Sequence, residues 1–193
     1  MKFVTLGPTG TCHENALRHY LKYHEIENFE LIFTTNFLDG LEMVYCNEAD
    51  YLVQCSAHPQ VHLVTERYFH EIKVTDTFIF PTKELVLLEN KKISTPQTLG
   101  LVKATEGYLD GITYPEIIYE PSKPVVGKGL LEGKYDAGLT HMDYYHKAPH
   151  LFRIKKSMGE VLTTWLVYGK HSNFDGEILS AMPKGFYIEK VNN

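Results

Sequence analysis

Between an apolar run (Phe3, Val4, Leu6) and a stretch with apolar or aromatic residues at Ala16, Leu17, Tyr20, Leu21 and Tyr23, the chain reads Gly7-Pro8-Thr9-Gly10-Thr11-Cys12. A glycine-rich turn from a strand into a helix lets the backbone approach a ligand closely. It also aims the helix's free N–H groups and positive dipole end at an anion. With the hydroxyls of Thr9 and Thr11 as further donors, this turn can hold a small acid. The same residues also spell a simpler structure, in which Thr11 is the N-cap and Glu14, three residues on, completes a capping box.

Four further polar clusters fall where predicted strands begin or end: Gln54–His58, Pro121–Lys123, Thr140–Asp143 and Leu162–Trp165. In parallel α/β sheets ligands gather outside the carboxyl ends of strands, so convergence of such clusters points to a site. Lys123 precedes a predicted helix, where a carboxylate could meet both its ammonium and free amides; a solvated surface lysine fits the local pattern as well. Cys12 and Cys55 read as inert thiols more readily than as nucleophiles. His58 and His62, like His146 and His150, have the i, i+4 spacing used by metal sites, but no third ligand is evident and Pro149 interrupts the second pair. No metal and no cofactor is expected. No Ser-His-Asp order, Walker A lysine or G-x-G-x-x-G occurs.

The elements that must carry these clusters alternate. Predicted strands are Met1–Leu6, Glu30–Thr34, Ala49–Val53, Ile72–Phe80, Glu84–Glu89, Glu116–Tyr119, Asp136–Thr140, Phe152–Lys155 and Thr163–Tyr168. Predicted helices are His13–Tyr23, one capped by Thr35 or Asn36, His62–Phe69, one opened by Ser94-Thr95-Pro96-Gln97-Thr98-Leu99 and stopped at Asp110-Gly111, Val125–Glu132 (weakened by Gly127 and Gly129), and a short one over 176–182. This alternation predicts α/β architecture with mostly parallel sheets. The strands at Val74–Phe80 and Trp165–Tyr168 can serve as crossovers. They divide the chain into a discontinuous first lobe, residues 1–80 plus 160–193, and a second, 81–159.

The 193 residues suffice for two small cores. With a formal net charge of −5 and no cluster of Lys or Arg, nucleic acid and anionic membranes are poor partners. No apolar run is long enough to span a bilayer or serve as a signal-peptide core. Three cysteines without a CxxC pair predict reduced thiols and a cytoplasmic protein.

The order of pieces resembles the prephenate dehydratase family over about residues 3–171. Leu6-Gly7-Pro8-Thr9-Gly10-Thr11 looks like its L-G-P-x-G-T signature. Ala49-Asp50-Tyr51-Leu52-Val53 resembles A-D-Y-x-V, and Ser94-Thr95-Pro96-Gln97 resembles S-H-P-Q. Ser122 and Ala137-Gly138-Leu139 fall on a further shared stretch, and Thr163-Thr164-Trp165 stands where the family has T-R-F. The resemblance implies a two-lobed, type II periplasmic-binding-protein-like fold with mixed, mostly parallel sheets, substrate in the interlobe cleft, and a homodimer. It carries over a leaving-group threonine at Thr163. The family's arginine is replaced by Thr164, which cannot grip a carboxylate bidentately; its P-I-E-N stretch is replaced by Gln54-Cys55-Ser56-Ala57-His58.

The prephenate decarboxylases of bacilysin-type antibiotic pathways also lack that arginine and are similar here in the hydroxyl-Trp pair, in Tyr168-Gly169-Lys170 and in Tyr135–Thr140. This resemblance implies loss of CO2 from prephenate with the ring hydroxyl retained. Gly7, Thr9, Gly10, Thr11 and Cys12 would hold one carboxylate; Thr163, Thr164 and Trp165 the reacting end; Ser56, His58, Ser122, Lys123 and Thr140 the remaining wall. The proton donor is open among His58, His141, a tyrosine and water. The alternatives are prephenate dehydratase-like activity and, because fold alone does not fix function, a non-catalytic small-acid-binding or sensor protein of the same fold.

Overall fold

The computed structural model describes residues 1–181. The elements run β1 (Lys2–Leu6), α1 (Cys12–Tyr23), β2 (Glu30–Thr34), α2 (Phe37–Tyr45), β3 (Tyr51–Cys55), α3 (Val61–Glu66), β4 (Lys73–Pro81), β5 (Leu85–Asn90), β6 (Thr98–Leu101), a 3-10 helix (Lys103–Leu109), β7 (Glu116–Tyr119), α4 (Lys123–Glu132), β8 (Ala137–His141), α5 (Met142–Lys147), β9 (Phe152–Gly159) and β10 (Leu162–Gly169). They build two mixed five-stranded sheets, ordered β2-β1-β3-β10-β4 and β7-β6-β8-β5-β9. In each sheet two strand pairs are parallel and two antiparallel. Both faces of each sheet are covered, which explains why β5 and β8 read as continuous apolar runs. Among the described residues no helix is long and apolar enough to cross a membrane.

The chain passes between the sheets twice, after β4 and before β10. These two strands pair antiparallel from Leu162↔Pro81 to Gly169↔Lys73. Their ends are tied where the crossings occur: the Thr82 amide donates to the Val161 carbonyl (2.9 Å), and the Val161 amide to the Thr82 hydroxyl (3.0 Å). The crossings therefore lie side by side, and both sheets meet at one seam.

Three expectations require correction. Ser94–Leu99 does not open a helix. The Asp136 carboxylate accepts from the amides of Gln97 (2.7 Å) and Thr98 (3.1 Å), while the Thr98 hydroxyl accepts from the Asp136 amide (2.9 Å). These bonds hold Thr98–Leu101 extended beside β8, and only a 3-10 turn follows. Asp110 and Gly111 stop that turn, both with positive φ. The third strand lies two residues later than expected, so Gln54 and Cys55 belong to it; β10 pairs with both. Finally, residues 176–181 carry no helix, and Met182 lies outside the described residues.

Gly127 and Gly129 weaken α4 on propensity but let two rings close on it. A Cβ at Gly127 would collide with the Tyr144 ring, and one at Gly129 with Tyr135. The hydroxyls of these tyrosines donate to the carbonyls of Pro124 and Val126, each at 3.0 Å. This packing seats α4, whose first turn reaches the seam. Gly127→Ala is expected to destabilise the protein by about 1–3 kcal/mol despite its better helix propensity. A urea midpoint equal to or above that of the unaltered protein would refute this packing.

Candidate functional site

The opening turn folds as its capping residues dictate. The Thr11 hydroxyl accepts from the Glu14 amide (3.2 Å) and donates to the Leu6 carbonyl (3.0 Å). The Glu14 carboxylate accepts from the Gly10 amide (2.7 Å) and from Arg18 (2.8 Å). The Gly7 amide donates to Thr34. Gly7, Gly10 and Thr11 have thus already committed the groups credited to ligand binding, and Thr9 is exposed. Among the described residues, no acceptor meets the amides of Cys12 and His13, the next two in the turn. The dipole end of α1 remains, aimed through those two amides.

A cavity of about 80 Å³ lies at the seam. Leu6, Thr11, Cys12, His13 and His58 line it from the first sheet's side; Val102, Ala104, Pro121, Ser122, Lys123, Pro124 and His141 line it from the second's. The first turns of α1 and α4, on opposite sheets, both face it. Ser122 is the N-cap of α4, yet its buried hydroxyl makes no capping bond and has no partner among the described residues. The Thr140 hydroxyl donates to the Lys123 carbonyl (2.7 Å), which anchors α4 to the end of β8. Among the described residues no Asp or Glu lines the cavity.

The other expected site residues take supporting places. Cys55 and Thr163 touch through Sγ and Oγ1 at 3.6 Å. The Thr164 carbonyl accepts from the Ser56 amide (2.9 Å). Alternation along β10 puts the Thr164 side chain on the face opposite Thr163 and Trp165. Trp165 is fully buried, with its indole N–H on the Phe80 carbonyl (2.9 Å). None of Ser56, Thr140, Thr163, Thr164 and Trp165 lines the cavity.

His13 escaped the sequence reading. Its ring packs edge-on against Trp165 (5.2 Å between centroids) and His58 (6.3 Å), and its Nε2 accepts from the Cys55 amide (3.4 Å). Its one sequence signal was its place in the first turn of a helix expected to meet an anion; the aromatic neighbours are distant in the chain. Across the seam, Cys12 Sγ on the first sheet's side and His141 Nε2 on the second's are 3.2 Å apart.

Charge explains the ionisation states. Burial, reinforced by Lys123 and then His58, brings His13 down to about 3. Burial, with Lys123 and Lys83 against a weaker opposing Asp143, brings His141 down to about 3. His58 is lowered by burial and Lys123. Burial raises the Cys12 thiol, against the pull of Lys123 and Lys83. At neutral pH the cavity holds neutral imidazoles, a neutral thiol and one lysine. A wider open groove, about 610 Å³, lies outside α1 and β4; its Asp76 already accepts from the Tyr20 hydroxyl (2.8 Å).

No family model and no curated protein matches this sequence. Solved structures do match in fold. Prephenate dehydratase from Arthrobacter aurescens, solved with L-Phe, superposes with a TM-score of 0.66 at 16% identity, over 100% of this chain and 71% of that one. The periplasmic VFT2 domain of Bordetella pertussis BvgS gives 0.56 at 12% identity, over 88% and 80%. The GluR0 ligand-binding core with L-glutamate gives 0.52 at 14%, over 100% and 90%. The chain therefore has the two-lobed, periplasmic-binding-protein-like fold that these structures share.

The depressed histidines fix a pH dependence. Their unfolded forms take up protons near pH 6.5, whereas folded His13 and His141 do so only near 3. Their stabilising contribution is complete above pH 6.5 and is lost as pH falls below it, by about 1–2 kcal/mol per group at pH 5. Tm is expected to fall between pH 7 and pH 5, and His141→Asn to flatten that slope by up to one proton's worth. An unchanged slope in the variant would show that His141 ionises freely in the fold.

Proposed function

We propose that this protein is a lyase that removes carbon dioxide from prephenate or a similar cyclic diacid and leaves the ring hydroxyl in place. One observation carries the reading: two helix N-termini from opposite sheets and Lys123 converge on a cavity that no carboxylate among the described residues lines. A diacid offers one anionic group to each helix end. An α-ammonium group would meet Lys123 and find no counter-charge, so an amino acid fits the chemistry of the cavity poorly.

One feature favours decarboxylation over dehydration. Expulsion of hydroxide benefits from a fixed guanidinium, and the chain's arginines, Arg18, Arg67 and Arg153, all lie off the cavity. They are paired instead with Glu14, Glu42 and Glu89. Leu6, Val102, Ala104, Pro121 and Pro124 provide apolar wall, and a carboxylate stripped of water against such a wall loses CO2 more readily, a step common to both reactions. The dehydratase likeness in fold is compatible with either outcome. A cavity of about 80 Å³ holds only a few waters. Entry of a cyclic diacid therefore requires the lobes, residues 1–80 with 160–193 and residues 81–159, to part about the paired crossings.

A second reading, a non-catalytic binder of a small acid, draws on the neutral histidines and the lack of an acid–base carboxylate. Incubation of the pure protein with prephenate separates the readings when CO2, phenylpyruvate absorbance and the proton spectrum are followed. CO2 with a non-aromatic hydroxylated keto acid is expected. Phenylpyruvate would indicate dehydration, and prephenate recovered unchanged with a raised Tm would indicate the binder. Neither binding nor turnover would end the proposal. Lys123→Ala is expected to weaken prephenate binding about 10- to 150-fold, the range for one hydrogen bond to a charged group. An unchanged Kd would remove Lys123 from the site.

A further inference from the structure

Cys12 is the first residue of α1 and His141 the last of β8, so their 3.2 Å contact joins the two sheets. Both side chains are nearly closed to solvent, 5% and 1% exposed. The other ring nitrogen of His141, Nδ1, is buried and meets no partner among the described residues, although His141 lines the cavity. A buried polar atom without a partner, in a cavity wall, marks a place for a ligand group or water.

The contact constrains the proton. A neutral imidazole has one donor nitrogen and one acceptor. Cys12 remains a thiol because burial outweighs the nearby lysines. Sulfur is a weak acceptor and an imidazole nitrogen a good one, so the favoured bond runs from S–H to Nε2. That places the ring proton on Nδ1.

We propose that Cys12 and His141 form a proton relay, in which Nδ1–H of His141 protonates the substrate while Nε2 takes the proton of the Cys12 thiol. The acceptor rests on the lyase reading above; the tautomer does not. When the C–C bond to the departing carboxylate breaks, its electron pair passes into the ring system as CO2 leaves. A ring carbon then bonds the Nδ1 proton, the S–H proton moves to Nε2, and a thiolate remains. The N-terminus of α1 and Lys123 face that thiolate, and water reprotonates it. Lys83 also lies near and is itself paired with Asp143. The imidazole only exchanges tautomers. It never carries a charge, so a histidine too buried to ionise at neutral pH can still deliver a proton. Cys12 acts through His141 and is a positioning residue; His141 is the group that touches substrate.

The test uses full-length protein with ¹⁵N-labelled histidine. The ¹⁵N shifts of His141 should report Nδ1–H in the unaltered protein and in Cys12→Ser, and a move toward Nε2–H in Cys12→Ala. Nε2–H in the unaltered protein, or no change in Cys12→Ala, overturns the relay. With prephenate as probe, Cys12→Ala should lower kcat about 10²- to 10⁴-fold, the range for a lost general acid, with KM within about threefold. Cys12→Ser should recover part of the loss, and Cys12→Ala with His141→Gln should be no slower than His141→Gln alone. Additive losses, or a change confined to KM, also overturn it. If the unaltered protein does not turn prephenate over, the lyase reading fails, and the tautomer measurement alone decides the relay.

Discussion

Two hydrogen bonds between Thr82 and Val161 hold the chain's two crossings together, and the arrangement of the cavity depends on them. Each sheet has its own helices and its own core clusters. What the two sheets share is the seam, fixed by the long β4–β10 pairing that ends in this tie. The tie sets the ends of β1, β3 and β10 against α4 and β8, so that Cys12 can reach His141. A crossing made once would leave the halves free to swivel; made twice and paired, it confines their motion to a narrow set of directions about that line.

Electrostatics then decides what the seam can hold. Lys123 and the two helix ends give it positive potential, and the same potential, with burial, keeps its histidines neutral. Glu14, in the first turn of α1, is spent on the Gly10 amide and Arg18, outside the cavity. The glycine-rich turn is therefore not the anion receptor as a whole. Its own glutamate neutralises the upstream amide, and the free donors begin one residue past the cap. The capping reading of Gly7–Cys12 is the one present, and the amides of Cys12 and His13 are left without an acceptor among the described residues.

Much of this was legible in order along the chain. The cap at Thr11 and the stop at Asp110-Gly111 depend on neighbours within a few residues, and they appear where the pattern places them, whereas Gln54 and Cys55 lie inside a strand and not past its end. What was hidden depends on distant partners. Thr98–Leu101 has the start signal of a helix, and only Asp136 and the fit of Gly100 against the Tyr135 ring make it a strand. Gly127 and Gly129 read as defects until the rings of Tyr144 and Tyr135 supply the reason for them. His13 is one polar residue in a polar first turn; Trp165 and His58, which give it meaning, are brought to it by the fold. Thr163, Thr164 and Trp165 form one motif in sequence, but strand alternation divides their side chains between two faces.

The site is incomplete in a specific way. Its unsatisfied groups are donors or can become donors: the Ser122 hydroxyl, His141 Nδ1, the Cys12 and His13 amides, and the Lys123 ammonium. Unpaired acceptors could be satisfied by a cation or an amine. A set of donors facing a space without carboxylates can be satisfied only by an acceptor-rich ligand, and an anion answers the potential as well. That ligand also changes the balance for the histidines. Placed against Lys123, such a ligand would offset the field that adds to burial in keeping them neutral, so that an imidazole beside a bound acid would hold its proton more firmly than one beside an empty cavity. On the proposed relay, donation from such a group would follow the negative charge of the substrate into the reacting ring, so that the transfer would be favoured only as the carboxylate is lost.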